Sequence, residues 1–283
     1  MNPVQWAPVF LINGEATDRI DVRDRGFQSG VGVFTTLPVM AGQPVWLDRH
    51  LTRLARDCQG IGLSYPGDAL LARDIGELLR EPPPAAVLKL QLTRGSGGRG
   101  YAWTPGSAIT RVVSLHPPPE YPESIHATGI EAMVCQTRLG INPLLAGLKH
   151  TNRLEQILAR AELQPTACGE GILLDQAGWV TEGTFTNLFL SRGGVVQTPP
   201  LDRCGVQGVM REVLLEWFSQ SGHPVQSTRF GVAELYQADE LMLCNSVIGV
   251  WFVRRCDHRT YPEPVHTPQA RAFLRTHHLP LPL

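Results

Sequence analysis

The sequence lacks long hydrophobic runs and any excess of charge of one sign. No stretch approaches the roughly 18 consecutive apolar residues that a membrane span requires. The N-terminus has no basic region followed by an apolar signal segment, so we expect a cytoplasmic protein with no membrane partner. The 283 residues include 25 basic and 26 acidic side chains, interspersed to a net charge of −1. This balance argues against nucleic acid as the main partner.

Cysteine and histidine motifs are also missing. The six cysteines form no CxxC pair, and the nine histidines never occur as HxxxH or HExxH. We therefore interpret the cysteines as reduced thiols and expect neither a disulfide framework nor a metal site.

Lysine is scarce. Only Lys89 and Lys149 occur among the 25 basic residues, and the other 23 are arginine. Any chemistry that needs a lysine amine therefore has two candidates.

A proline-rich segment divides the chain. The stretch 116–122 contains four prolines and cannot continue a sheet interior. We predict an N-terminal α+β domain over 1–116, a linker over 117–122 and a C-terminal domain over 123–283. Hydrophobic periodicity and turn residues predict strands over 8–12, 20–22, 30–40, 44–47, 87–93, 110–115, 131–136, 172–174, 184–190, 241–243 and 249–253. They predict helices over 48–60 (with Asp48 as the cap), 68–79, 152–163 and 209–219.

Lys149 stands in the segment GLKHTNRLE. Asn152 and Glu155 fit a capping box, which predicts that Lys149 ends a strand just before a helix. A lysine among apolar neighbours loses hydration, so its pKa falls and its neutral amine can form a Schiff base or remove a proton. The alternative is a surface lysine, which the arginine bias disfavours. Lys89 is interpreted as structural or supporting, because no helix cap follows it.

Three further features each have a functional and an ordinary structural interpretation. Glu182 begins a segment rich in Thr and Phe and could face a protonated pyridine nitrogen, although a lone Glu there is usually solvated. The glycine-containing stretch 205–208 opens a helix whose free N–H groups attract phosphate, or is an ordinary helix start. Arg53 could supply a matching cation or be an exposed helix arginine.

The loop Arg94–Tyr101 contains GxGxxG after a strand, but no phosphate-binding helix follows it. Its Arg94, Arg99 and Tyr101 suit an anionic substrate, particularly a carboxylate. A plain surface loop is the alternative.

The order Arg53, Arg99, Lys149, Glu182 and a helix starting at Val209 resembles the fold-type-IV pyridoxal-phosphate enzymes, over roughly 10–253. Within that group, four stretches look like those of the 4-amino-4-deoxychorismate lyases: Phe34–Thr36, Arg94–Tyr101, Leu148–Gln156 and Cys244–Ser246.

The resemblance implies a two-domain α+β fold of the D-amino-acid aminotransferase type, with a small N-terminal α/β sandwich and a larger C-terminal domain with a barrel-like β core. It implies pyridoxal 5'-phosphate as cofactor and a homodimer. The implied site residues are Lys149 and Thr36 as catalytic groups, Lys149, Glu182, Arg53, Val209, Met210 and Ser246 for the cofactor, and Arg99, Tyr101 and Arg94 for the substrate. Two departures are Leu154, where the aminotransferases have tyrosine, and Val31, where many relatives have aspartate.

The implied activity is conversion of aminodeoxychorismate to 4-aminobenzoate and pyruvate, a step of folate biosynthesis. One alternative is a D-amino-acid or branched-chain aminotransferase on the same fold. Others are a nucleotide-binding module that uses the loop at 95–100, and an inactive interaction protein. The presence of Lys149, Glu182 and Arg53 disfavours the inactive protein.

Overall fold

The computed structural model describes residues 6–104 and 106–276. The chain forms two compact units. Unit 1 takes in the chain up to Glu120 together with Leu148–Asn152, and unit 2 takes in Tyr121–Gly147 and the chain from Arg153 onward. The lysine at 149 therefore packs with unit 1, although the sequence-based division counts it in the C-terminal domain. No helix in the described part of the chain is long and apolar enough to cross a membrane.

Unit 1 contains a six-stranded antiparallel sheet in the order β2-β1-β6-β5-β3-β4. The strands are β1 (Val9–Ile12), β2 (Glu15–Ala16), β3 (Gly32–Met40), β4 (Gln43–Pro44), β5 (Ala85–Thr93) and β6 (Thr110–His116), and the helices are α1 (Arg25–Ser29), α2 (Leu47–Gly60) and α3 (Asp68–Leu78). Alternation along the strands gives the sheet two different faces. One face buries Leu37, Leu88 and Leu90 in a core with Leu54 of α2.

Unit 2 contains a nine-stranded mixed sheet, curled into a half-barrel. Eight strands follow the order β12-β11-β10-β13-β14-β7-β8-β9, and β15 pairs with β14. The strands are β7 (Ile130–Leu139), β8 (Glu170–Asp175), β9 (Val180–Gly183), β10 (Asn187–Arg192), β11 (Val195–Thr198), β12 (Gln226–Ser227), β13 (Glu240–Asn245), β14 (Gly249–Cys256) and β15 (Arg259–Thr260). The helices are α4 (Ser124–Thr128), α5 (Leu154–Glu162), α6 (Val209–Gln220), α7 (Val232–Tyr236) and α8 (His266–Thr276). The expected barrel-like β core is confirmed.

One predicted strand and one predicted helix cap are wrong. The chain does not return as a strand over 20–22, because it pairs back at once as β2 after the turn at Asn13 and Gly14. Asp48 does not cap α2. The helix begins at Leu47, and its N-cap is Trp46, whose backbone is in the left-handed region. Asp48 lies in the first turn instead, where its charge favours the helix dipole.

The predicted capping box before α5 is also wrong. Arg153 occupies the cap position and makes no side-chain cap bond. Asn152 instead donates from Nδ2 to the carbonyl of Gly30 (2.9 Å), and Glu155 accepts from the amide of Gly140 (2.8 Å). Both side chains fix loops that are distant in sequence, which local spacing does not reveal.

Buried Asp24 connects α1 to both ends of the loop between β5 and β6, which contains Arg94–Tyr101. Its Oδ1 accepts from the amides of Gly26 (2.7 Å) and Phe27 (3.3 Å), which caps α1. Its Oδ2 accepts from the hydroxyls of Thr93 (2.8 Å) and Thr110 (2.6 Å), which flank that loop. One carboxylate thus satisfies four donors and sets where the loop starts and ends.

We predict that Asp24→Ala lowers the free energy of unfolding by about 3–5 kcal/mol, because it leaves buried donors without an acceptor. Urea unfolding measures this loss. Asp21→Ala is the control: that carboxylate is exposed and binds exposed Arg23, so the variant keeps wild-type stability. Equal stability of Asp24→Ala and Asp21→Ala would contradict the anchoring role.

Candidate active site

The main chain of Lys149 is fixed on both sides within unit 1. Its amide donates to Oδ2 of buried Asp57 on α2 (3.0 Å), and its carbonyl accepts from the amide of Phe34 on β3 (3.0 Å). Two residues further on, the Thr151 amide donates to the carbonyl of Gly32 (2.9 Å) and its hydroxyl to that of Gly30 (2.6 Å). The segment 148–152 therefore lies along β3, and Lys149 is not the end of a regular strand.

The neighbour of Lys149, Leu148, packs closely on the end of α2. A Cβ atom at Gly60 would lie 2.6 Å from Leu148 Cδ1, which is closer than real carbon atoms approach. Gly60 therefore permits this contact because it has no side chain. The apolar setting that the sequence predicted for Lys149 is present on this side.

The Lys149 side chain is half-buried, and its Nζ lies 4.5 Å from the centroid of the Phe34 ring. An ammonium group at this distance from an aromatic ring gains from the cation–π interaction. Phe34 and Thr36 are two residues apart on β3, so their side chains share one face of the sheet. The structure therefore brings both predicted catalytic residues to the Phe34 face of β3.

Arg53 on α2 is buried, which rules out the interpretation of it as an exposed helix arginine. Its Nη2 donates to the hydroxyl oxygen of Thr35, and its Nε lies 3.9 Å from the Asp57 carboxylate. His50 Nδ1 lies 2.7 Å from the same hydroxyl. Because arginine only donates, the Thr35 hydroxyl hydrogen is left for His50, whose Nδ1 we assign as the acceptor. Sequence reasoning missed this group, and only the i,i+4 spacing of Arg53 and Asp57 hinted at it.

The three residues predicted for the substrate differ in their surroundings. Arg94 donates to the carbonyls of Ile61 and Gly62 (3.0 Å each), and its guanidinium lies 4.5 Å from the Trp103 ring centroid. Arg94 therefore already anchors its own loop. Arg99 and Tyr101 are exposed, Tyr101 at 95%. The substrate role remains a prediction for all three.

Unit 2 buries the carboxylate of Glu182 on β9. Oε2 accepts from the amide of Val206 (2.8 Å), and Oε1 accepts from Nε2 of Gln156 (3.2 Å). Gly205 is the residue before Val206 and has a φ of +82°. A Cβ atom at this position would lie 2.8 Å from Leu201 and 3.3 Å from Glu182 Oε2. The close approach of this loop to the carboxylate therefore requires glycine at 205. Glu182 is a buried, oriented acceptor rather than a solvated side chain.

The first turn of α6 has no side-chain cap. Asn187 clamps the preceding loop, donating to the carbonyl of Val206 (2.8 Å) and accepting from the amide of Gly208 (3.1 Å). Gly208 is the N-cap and has no side chain, so no side-chain cap covers the first turn of this 12-residue helix. The N–H groups of Val209 and Met210 are therefore of the kind that binds phosphate.

Unit 2 also buries two further polar side chains, Ser246 and Glu170. Ser246 is buried and follows β13, whose Cys244 pairs with Asn187. Behind the turn that follows Glu182, buried Glu170 accepts from the amide of Thr184 (3.1 Å) and the hydroxyl of Thr186 (2.9 Å). These bonds explain why β10 begins only at Asn187 and not at 184 as predicted. Sequence reasoning did not identify Glu170.

Comparison with known proteins assigns the family. The family model described as amino-transferase class IV matches residues 32–256. A solved structure of 4-amino-4-deoxychorismate lyase from Pseudomonas aeruginosa is 42% identical, with a TM-score of 0.89 over 94% of this chain and 98% of that one. An aminodeoxychorismate lyase from Vibrio harveyi is 35% identical over 86% of this chain and 89% of its own length. A D-alanine aminotransferase from Bacillus licheniformis is 27% identical, with 88% and 89% covered.

The small antiparallel sheet with helices and the larger half-barrel sheet define fold type IV, whose members use pyridoxal phosphate. The chain belongs to the class IV aminotransferase family.

Buried His50 makes the stability of unit 1 depend on pH. Burial, and after it the charges of Arg53 and Lys149, lower the pKa of His50 well below its ordinary value of 6.5. The native imidazole stays neutral, whereas the unfolded chain takes up a proton below pH 6.5. Stability from this group is therefore lost as the pH falls below 6.5, by up to about 1.4 kcal/mol per pH unit.

We predict that His50→Gln flattens this part of the stability curve. Urea unfolding between pH 7.5 and 5 compares the variant with wild type, and the wild-type free energy should fall more steeply below pH 6.5. Parallel curves for the two proteins would show that His50 does not titrate as described.

Proposed function

We propose that this protein is a pyridoxal-phosphate-dependent lyase that converts 4-amino-4-deoxychorismate to 4-aminobenzoate and pyruvate. The observation that carries the proposal is the placement of Thr36 and the Lys149 amine at the same face of β3, beside Phe34. The resemblance to the family implies glycine at the position of Thr36 in branched-chain aminotransferases, which then lack this hydroxyl. The identities of 42% and 35% to lyases, against 27% to the aminotransferase, support the same assignment.

The residues present fit the cofactor. Lys149 offers an amine, the uncapped first turn of α6 offers N–H groups for a phosphate, and Glu182 offers a buried carboxylate. We assign the phosphate to Arg53, Ser246 and the amides of Val209 and Met210, and the pyridine nitrogen to Glu182. Bound pyridoxal phosphate supplies an aldehyde that links to amines and a ring that accepts negative charge.

The chain's own groups then move two protons. The substrate is a cyclohexadiene with an amine at C4, an enolpyruvyl ether at C3 and a ring carboxylate. Lys149 Nζ removes the C4 proton, and loss of the enolpyruvyl group leaves an aromatic ring, which makes the step effectively one-way. The departing group receives a proton at carbon from the Lys149 ammonium or the Thr36 hydroxyl and becomes pyruvate. Glu182 keeps the pyridine nitrogen protonated.

The test supplies purified protein with chorismate, glutamine and an aminodeoxychorismate synthase, and measures 4-aminobenzoate and pyruvate. Wild type should form both in equal amounts, and Lys149→Ala should form neither, because the proton-removing amine is gone. Arg19→Ala, an exposed change on unit 1, is the matched control and should keep full activity. The homodimer implied by the family predicts twice the 31.1 kDa chain mass in sedimentation of the same preparation.

Two results would contradict the lyase assignment. Wild type that absorbs like a lysine-bound pyridoxal phosphate but forms no 4-aminobenzoate would instead favour an aminotransferase, which an amino-donor screen would identify. Full activity of Lys149→Ala would refute the role of the lysine.

A further inference from the structure

Unit 2 contains a cleft that none of the residues assigned to the cofactor lines. Its volume is about 450 Å³, which is within the usual range for small-molecule sites. The end of α4, the start of β7, the end of β14, the residues that follow β15 and the first turns of α8 form its walls. Strand β14 starts at Gly249, close in sequence to Ser246, and Arg255 in the cleft is six residues further on, or about 20 Å along the strand. The cleft therefore lies at the far end of β14 from Ser246.

Two successive arginines of β14 reach the cleft together. Neighbouring residues of a regular strand point to opposite faces, but the pairing of β14 with β7 shifts register between Val253 and Arg255. Arg254 Nη2 donates to Oε1 of Glu131 (2.8 Å), and Arg255 Nη2 donates to Oε2 of the same side chain. Both arginine side chains are about half exposed. One carboxylate is therefore shared between two accessible guanidinium groups.

Arg271 on α8 is the third arginine of the cleft. Its Nε donates to the carbonyl of Val250 (3.1 Å) and its Nη1 to that of His126 (2.6 Å), which fixes the guanidinium plane. Its Nη2 is buried and has no hydrogen-bond partner in the described part of the chain. Glu240, whose charge acts on Arg271, accepts instead from the amides of residues 265–267. A ligand oxygen that accepts from Nη2 removes the cost of an unsatisfied buried donor.

The cleft has an excess of positive charge. Its three arginines stand against two acidic lining residues, Glu131 and Glu263, which leaves one positive charge. The lining residue His126 reports the same field, because burial and then the charges of Arg271 and Arg275 lower the pKa of its imidazole. The cleft therefore favours an anionic ligand.

We propose that this cleft binds an organic phosphate monoester through Arg254, Arg255 and Arg271. A guanidinium donates two parallel hydrogen bonds to a pair of phosphate oxygens, and the three terminal oxygens of a phosphate monoester accept from more than one arginine. Phe252 and the prolines at 262, 264 and 268 add apolar surface to the lining, which suits the organic group of such a ligand. The volume also exceeds that of a phosphate ion, since a water molecule occupies only about 30 Å³.

Binding of monobutyl phosphate to the cofactor-loaded protein tests the proposal by calorimetry. The loaded protein already holds the phosphate of its cofactor, excess cofactor is removed, and the buffer contains no phosphate. We expect one site per chain with a Kd below about 1 mM. Inorganic phosphate tests the organic group, and pentanoate replaces the phosphate by a carboxylate on the same alkyl chain. Both should bind at least about 10-fold more weakly.

The variant Arg255→Gln locates the site. Loss of charge-assisted hydrogen bonds to the phosphate should weaken binding of monobutyl phosphate about 10- to 100-fold. Arg255→Lys should recover only part of the loss, because an ammonium restores the charge without the planar pair of donors. Arg229→Gln is the matched control, since Arg229 is a partly exposed arginine of unit 2 that pairs with Asp202 and does not line the cleft. Its Kd should stay within about twofold of wild type.

Several results would overturn the proposal. Absence of binding at millimolar concentration would refute it, as would equal Kd values for wild type and Arg255→Gln or equal losses in Arg255→Gln and Arg229→Gln. Inorganic phosphate or pentanoate that binds as tightly as monobutyl phosphate would refute the organic phosphate as the ligand. Urea unfolding should show wild-type stability for Arg255→Gln, because the side chain is half exposed. The measurement uses no lyase substrate, so its outcome is independent of the lyase assignment.

Discussion

The alignment of residues 148–152 along β3 is the constraint on which the candidate site depends. Lys149 has its amide on the buried Asp57 carboxylate and its carbonyl on the Phe34 amide, so its main chain cannot shift without breaking one of these bonds. A lysine side chain has four rotatable bonds, and a fixed main chain removes much of the uncertainty in where the amine reaches. The Lys149 amine contacts the Phe34 ring, which lies on the same face of β3 as Thr36.

The two units carry different charged groups. Unit 1 supplies the cations Lys149, Lys89 and Arg53. Unit 2 supplies the buried carboxylate of Glu182 and the N-terminus of α6.

Local sequence patterns predicted the long strands of unit 1 and helix α6, because alternation and helical periodicity are strong there. They did not predict how Asn152 and Glu155 act, because both side chains bond to main-chain groups far away in sequence. The same limit applies to the site. Lys149 and Glu182 stand in recognisable motifs, whereas only the strand register shows that Lys89 lies opposite Thr36.

The central claim is that Lys149 is the lysine that holds the cofactor, and a chain with two lysines allows a direct test. Protein loaded with pyridoxal phosphate is reduced with borohydride, digested and mapped by mass spectrometry. The account predicts the pyridoxyl group on the peptide that contains Lys149, with labelling retained in Lys89→Met and lost in Lys149→Ala. A pyridoxyl group on the peptide that contains Lys89 in the wild-type protein would contradict it.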